Sequence, residues 1–186
     1  LLKIMRLALL MIVVCGIAYP LLMTGLAQIM FPDQANGSLI KTKDGRAAGS
    51  ELIGQNFQSP KYFHGRISSI NYDASASGSN NYGPTNKEML KRTQESIKML
   101  KKENPGLKTK NIPVDLITNS ASGLDPDISV QAAKFQVPRV SQETGIDKST
   151  LMTFIHETTK GRSLGLFGEP RVNVLELNMK LQNYEK

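Results

Sequence analysis

From Leu7 to Phe31 the chain reads LALLMIVVCGIAYPLLMTGLAQIMF, a run of 25 residues without a charge. As an α-helix it is about 37 Å long at about 1.5 Å per residue, against a hydrocarbon core about 30 Å thick. The run therefore predicts a membrane-spanning helix over 7–31. Pro20 removes one backbone donor and predicts a kink, which membrane helices tolerate. Thr24 and Gln28 lie four apart on one face with Gly25 beside them, and such a polar, small stripe suits packing against another membrane helix. Gly16 and Ala18 form a small-x-small pair after a basic start, as at a signal cleavage site. The apolar run continues well past the roughly 7–15 residues of a signal core, so a retained anchor is expected. Lys3 and Arg6 place residues 1–6 in the cytoplasm by the positive-inside rule, which puts residues 32–186 outside.

The formal charge is +7, from 23 Lys and Arg against 16 Asp and Glu. Residues 33–186 hold 21 of those bases and all 16 acids, a scattered +5. A nucleic-acid binder concentrates its bases and interleaves aromatics; this chain does neither, so no nucleic-acid partner is expected. The single cysteine, Cys15, lies in the apolar run, which excludes an intramolecular disulfide and a cysteine metal cluster. His64 and His156 belong to no HExxH-like pair, and no metal site is expected.

The remainder reads as one α+β domain. Ser38-Leu39-Ile40 and Glu51-Leu52-Ile53 predict short strands around a Lys43-Asp44-Gly45 turn. Residues 73–84, DASASGSNNYGP, predict a small-residue loop. A helix follows, with Thr85 and Glu88 as a capping box, Leu90, Ile97 and Leu100 on one face, and Asn104-Pro105-Gly106 as its stop. Its Lys91, Arg92, Lys98, Lys101 and Lys102 read as a solvated face. Val114, Leu116 and Thr118 alternate as in a strand. A helix from about Ser129 is expected to break near Pro138, and another spans Asp147 to Thr159. Asn173 and Glu176 predict the cap of a C-terminal helix carrying Val174, Leu177 and Leu181 on one face.

Motifs for chemistry are missing. There is no GxxxxGK[ST] phosphate loop and no GxSxG elbow. Asp147-Lys148-Ser149-Thr150 lacks the Gly of the phosphorylated DKTG of P-type pumps and reads as a helix start. Asn36-Gly37-Ser38 fits the glycosylation acceptor pattern, a three-residue match of low specificity. The stretch NSASGLDPDIS at 119–129 holds small hydroxyls, a Gly, two Asp and a Pro. Read from its residues, Gly123 permits a positive φ, Asp125-Pro126 sets a rigid turn, and Asp127 or Ser129 caps the following helix.

Several stretches together resemble the C subunit of the Kdp-type potassium-transporting ATPase. They are Tyr19-Pro20-Leu21, QANGSLI at 34–40, GSELIGQNF at 49–57, YFHGR at 62–66, SGSNNYGPTN at 77–86, SASGLDPDIS at 120–129, QVPRV at 136–140 and VNVLELN at 172–178. They run in the family's order across nearly the whole chain, with Tyr82 a departure where an aliphatic residue is commoner. The resemblance implies a non-catalytic accessory subunit of a high-affinity ATP-driven potassium uptake complex. Its partners would be a channel-like A subunit that carries potassium and a P-type B subunit that hydrolyses ATP. It also implies a catalytic chaperone that raises the B subunit's affinity for ATP, with no tightly bound cofactor and only transient ATP. Ser120, Ser122, Gly123 and Gln136 would then touch the nucleotide.

That last implication conflicts with the charge argument, because ATP is cytosolic while Lys3 and Arg6 put the domain outside. With the domain outside, the SASGLD stretch is structural and the natural neighbour is the outer mouth of the potassium subunit. The alternative from another class is an anchored extracytoplasmic serine hydrolase, which needs His64 or His156 brought to Ser120 or Ser122 by folding.

Overall fold

The computed structural model describes residues 1–42, 44–104 and 107–184. Lys43 of the expected turn and Pro105-Gly106 of the expected helix stop lie outside the described residues. The chain forms two compact units, residues 1–39 and 40–186.

The first unit is one long helix with a short appendix. Leu2–Met30 is a continuous helix long and apolar enough to cross a membrane. It consists of α1 (Leu2–Met11), a wider π-helical stretch at Ile12–Ala18, and α2 (Tyr19–Met30). In the stretch just before Pro20, the Tyr19 N–H reaches the Val14 carbonyl, five residues back. A proline cannot donate to the helix ladder, and a widened turn ahead of it is one way a helix accommodates the gap. Thr24, Gly25 and Gln28 are exposed on the surface of α2. Gln28 accepts a bond from Asn36 at 3.3 Å, just beyond the short helix α3 (Pro32–Ala35).

A two-stranded hairpin, β1 (Leu39–Lys41) and β2 (Ala47–Ser50), marks the start of the second unit, whose boundary falls after Leu39. The expected strand at Glu51-Leu52-Ile53 is instead a turn: the Ser50 hydroxyl and carbonyl take the N–H groups of Leu52 and Ile53. Helix α4 (Lys87–Glu103) begins one residue later than the capping box suggests. Asn86 is its cap, accepting from the N–H groups of Glu88 and Met89 at 2.9 and 3.1 Å. The Glu88 carboxylate instead takes the Tyr82 hydroxyl at 2.7 Å. The alternation at 114–118 belongs to a 3-10 turn over Val114–Leu116, not a strand. There the Val114 carbonyl collects the Thr118 N–H and hydroxyl, both at 2.9 Å, so Leu116 is buried while Val114 is 65 % exposed.

The core lies between three helices and a small antiparallel sheet. Strands β3 (Asp127–Ser129), β4 (Thr159–Lys160) and β5 (Arg171–Asn173) form the sheet in the order β3-β5-β4. Ile128 sits opposite Val172, and both are buried. Helices α5 (Val130–Thr144), α6 (Lys148–Thr158) and α7 (Val174–Tyr184) bury Ala132, Val137, Val140, Leu151, Ile155, Leu177 and Leu181 in one cluster with Phe63.

Three helix starts follow from local chemistry. Ser129 caps α5 through the Ala132 N–H, Asp147 caps α6 through the Ser149 N–H, and Asn173 takes the Glu176 N–H of α7. The expected break near Pro138 does not occur. Val137, Arg139 and Val140 around it are all buried, and that packing holds α5 through the missing donor to Gly145, which ends it at φ +74°.

Candidate functional site

The stretch 119–129 is a compact knot built on its own hydroxyls. Ser120 is 2 % exposed, and its Oγ accepts the N–H groups of Gly123 and Asp125 at 3.0 and 3.3 Å. The Ser122 Oγ takes the Leu124 N–H at 3.1 Å and lies 3.1 Å from the Ser120 Oγ. Gly123 holds φ +74°, and a Cβ there would stand 2.5 Å from Ile70 Cγ1 and 3.0 Å from the Gly78 carbonyl oxygen. The glycine is needed both for its backbone angle and for close approach. The Asp125 carboxylate takes the Asp127 N–H at 3.1 Å, closing the turn around Pro126.

Four other segments are sewn to this knot. The Ser120 N–H donates to the Ile67 carbonyl at 2.8 Å, and the Gly78 N–H to the Ser122 carbonyl at 2.8 Å. The Gly54 N–H reaches the Leu124 carbonyl at 2.7 Å. Asn119 donates to the Ser79 hydroxyl at 2.6 Å and accepts from the Arg92 guanidinium of α4 at 2.9 Å. Arg92 is thus not simply part of a solvated face; it ties α4 to the loop. Arg66 pairs with Asp125 at 3.0 Å and also donates to the Asn119 carbonyl at 3.3 Å.

A cavity of about 490 Å³ borders the knot, lined by Arg66, Asp115, Asp125, Asp127 and Arg171 among others. Its carboxylates are partnered within the protein: Arg171 lies 2.8 Å from Asp127, and Asp115 accepts the Ser129 N–H at 2.7 Å. Burial holds the Asp127 carboxyl above its ordinary range, and the Arg171 guanidinium opposes that shift. Among the described residues, no group of three His, Cys, Asp or Glu is placed to hold a metal ion.

Ser120, Ser122 and Gly123 therefore come together, while Gln136 belongs to another cluster. Its Oε1 accepts from the His64 N–H at 2.8 Å and from Arg139 at 2.7 Å. Its Nε2 donates to the carbonyls of His64 and Ala132 at 3.1 and 3.3 Å. The His64 ring meets the Ser59 carbonyl at 3.2 Å through Nε2. With the Ser120 hydroxyl buried on its own loop's amides, the arrangement is that of a fold-forming turn and not of an activated nucleophile. Sequence reasoning passed over Arg66, Asp115 and Asn178, whose partners are far away in the chain and leave no local signal.

The family model for the c chain of K+-transporting ATPases (KdpC) matches residues 1–183. A potassium-transporting ATPase KdpC subunit of Bacillus cereus (strain Q1) is 54% identical over 183 residues, covering 98% of this chain and 95% of that protein. The KdpC subunits of Bacillus thuringiensis subsp. konkukian (strain 97-27) and Bacillus anthracis (strain CDC 684 / NRRL 3495) match at the same 54% identity and the same coverage. On a match that takes in the long apolar helix, the serine-glycine knot and nearly all of α7, the chain belongs to the KdpC family, the c chain of K+-transporting ATPases.

Proposed function

We propose that this accessory, non-catalytic subunit of a potassium-transporting ATPase acts from outside the membrane, by contact with the subunits that carry potassium and hydrolyse ATP. The observation that carries this reading is the internal use of the Ser120 and Ser122 hydroxyls, which bond the amides of Gly123, Asp125 and Leu124. A loop built to receive a phosphate turns such groups toward the ligand. Lys3 and Arg6, in the first turns of the long helix and ahead of its uncharged run, support an N-terminus in the cytoplasm. On this reading residues 32–186 lie outside, Thr24, Gly25 and Gln28 face a neighbouring membrane helix, and transient ATP contact by Ser120, Ser122, Gly123 and Gln136 plays no part.

The test is labelling of Ser122→Cys and of exposed Lys148→Cys, each in a Cys15→Ala background, by a membrane-impermeant maleimide. Labelling of the Lys148→Cys chain in intact cells supports the outside placement. Labelling of both only after lysis overturns it, and a catalytic-chaperone role through nucleotide becomes the reading.

A further inference from the structure

Between β4 and β5 the chain forms a closed finger, Arg162 to Glu169. Ser163 and Phe167 exchange backbone bonds at 2.8 and 3.0 Å, and the N–H groups of Gly165 and Leu166 fold back on Arg162 and Ser163 at 3.1 Å each. Leu164 and Gly165 hold φ of +54° and +74° at the turn. At the base, the Arg162 guanidinium reaches both Glu169 oxygens, at 2.8 and 2.9 Å. The tip is apolar and faces water: Leu164 is 89 % exposed, Leu166 76 % and Phe167 65 %. None of the three belongs to the core, so folding of the domain gains nothing from them. A leucine held at positive φ to present its side chain outward is a sequence choice that stability alone disfavours.

We propose that this finger is a plug that inserts Leu164, Leu166 and Phe167 into an apolar recess on a neighbouring protein subunit of the transport complex. The inference rests on the reading of the chain as an accessory subunit. Charge decides between a protein recess and a lipid surface. Loops that dip into anionic membranes are held by uncompensated Lys and Arg, with Trp or Tyr at headgroup level. Here the bases of the finger and of the two strands that carry it are paired with carboxylates. Lys160 pairs with Glu51 at 3.2 Å and Glu176 at 2.9 Å, Arg162 with Glu169, and Arg171 with Asp127. The finger contains neither Trp nor Tyr. A collar of paired charges around an exposed apolar tip matches the anatomy of protein interfaces, a polar rim around a centre that becomes desolvated on docking. Because the finger is already hydrogen-bonded in shape, little ordering remains to oppose docking.

The test purifies the intact complex in detergent through a tag on its ATP-hydrolysing subunit, from cells carrying the full-length chain or the double variant Leu164→Ser/Phe167→Ser. Leu164→Asn serves as a second variant, because Asn tolerates the left-handed backbone. The variants are expected to keep the wild-type melting temperature and their membrane anchorage, yet their yield in the complex should fall at least about tenfold, a loss of about 1.4 kcal/mol or more. With a photoreactive benzophenone amino acid in place of Leu164, irradiation of the purified complex should join this chain to another subunit. Retention of both variants at wild-type yield overturns the plug. So does a crosslink from position 164 confined to lipid. If the wild-type chain itself fails to co-purify, the accessory-subunit reading falls; if wild type and variants co-purify equally, only the plug does.

Discussion

The side-chain amide of Asn178 closes a two-bond ring on the backbone of Phe63, accepting its N–H at 2.8 Å and donating to its carbonyl at 2.9 Å. Both residues are wholly buried, and they lie 115 positions apart. One residue further on, Gln136 makes the same pair of bonds with the backbone of His64. Two buried amides, from α7 and α5, therefore stand in for the strand neighbour that YFHGR lacks.

Asn178→Ala leaves a buried donor and a buried acceptor without partners, at roughly 1–3 kcal/mol each. The expected loss, about 2–6 kcal/mol, is read by chemical denaturation. Asn178→Asp should be nearly as harmful, since a carboxylate accepts but does not donate. A loss under about 0.5 kcal/mol for both would show that water replaces the amide.

Gly123→Ala tests the serine-glycine knot. The left-handed backbone alone costs a non-glycine residue roughly 1–2 kcal/mol, and the new methyl must also displace Ile70. The melting temperature should fall clearly. An alanine variant with unchanged melting, but with a lost response of the complex to ATP, would make the knot a nucleotide site instead.

Acid should weaken the fold through His64. Burial, and secondarily Arg139, hold its imidazole below the ordinary value of 6.5. Below pH 6.5 the unfolded chain then binds a proton that the folded chain refuses. Stability falls as the pH drops from 6.5 toward the lowered pKa, and this contribution levels off beneath it. His64→Gln keeps the backbone bonds to Gln136 and removes the titration. Its stability between pH 7.5 and 5.5 should therefore vary less than that of the wild type; parallel curves would refute the assignment.

What was legible in the sequence is what short-range chemistry decides. The long apolar helix follows from a contiguous uncharged run, and the Ser129 and Asn173 caps and the positive φ of Gly123 each depend on residues within a few positions. The sheet was not legible. Its strands are two or three residues long, and Asp127-Ile128-Ser129 reads as the approach to a helix until Arg171-Val172-Asn173 is set beside it. Alternation misled at Val114 because the Thr118 hydroxyl and amide satisfy its carbonyl locally, so no strand partner is needed. Pro138 misled because propensity gives way where the flanking side chains are buried. Of the site, the Ser120–Gly123 turn was visible, but the attachment of Arg66 and Arg92 to Asn119 spans 53 and 27 positions.

Arg139 offers the sharpest contrast between shape and charge. It is 5 % exposed, and its guanidinium donates to the carbonyls of Pro60 and Tyr62 and to Gln136 Oε1. Its countercharge, Glu103, stands 3.8 Å away, longer than a hydrogen bond, with its side chain 27% exposed. If the planar fork holds the site, Arg139→Lys is not conservative. A single ammonium cannot reach acceptors on both sides, and the orphaned buried carbonyls should cost roughly 2–4 kcal/mol. Glu103→Gln keeps the fork and its three acceptors and should cost about 1 kcal/mol or less. The order of the two losses in urea denaturation is the result that matters. Were Glu103→Gln the more damaging, the buried charge would need its carboxylate more than its geometry, and the guanidinium would be held by the ion pair.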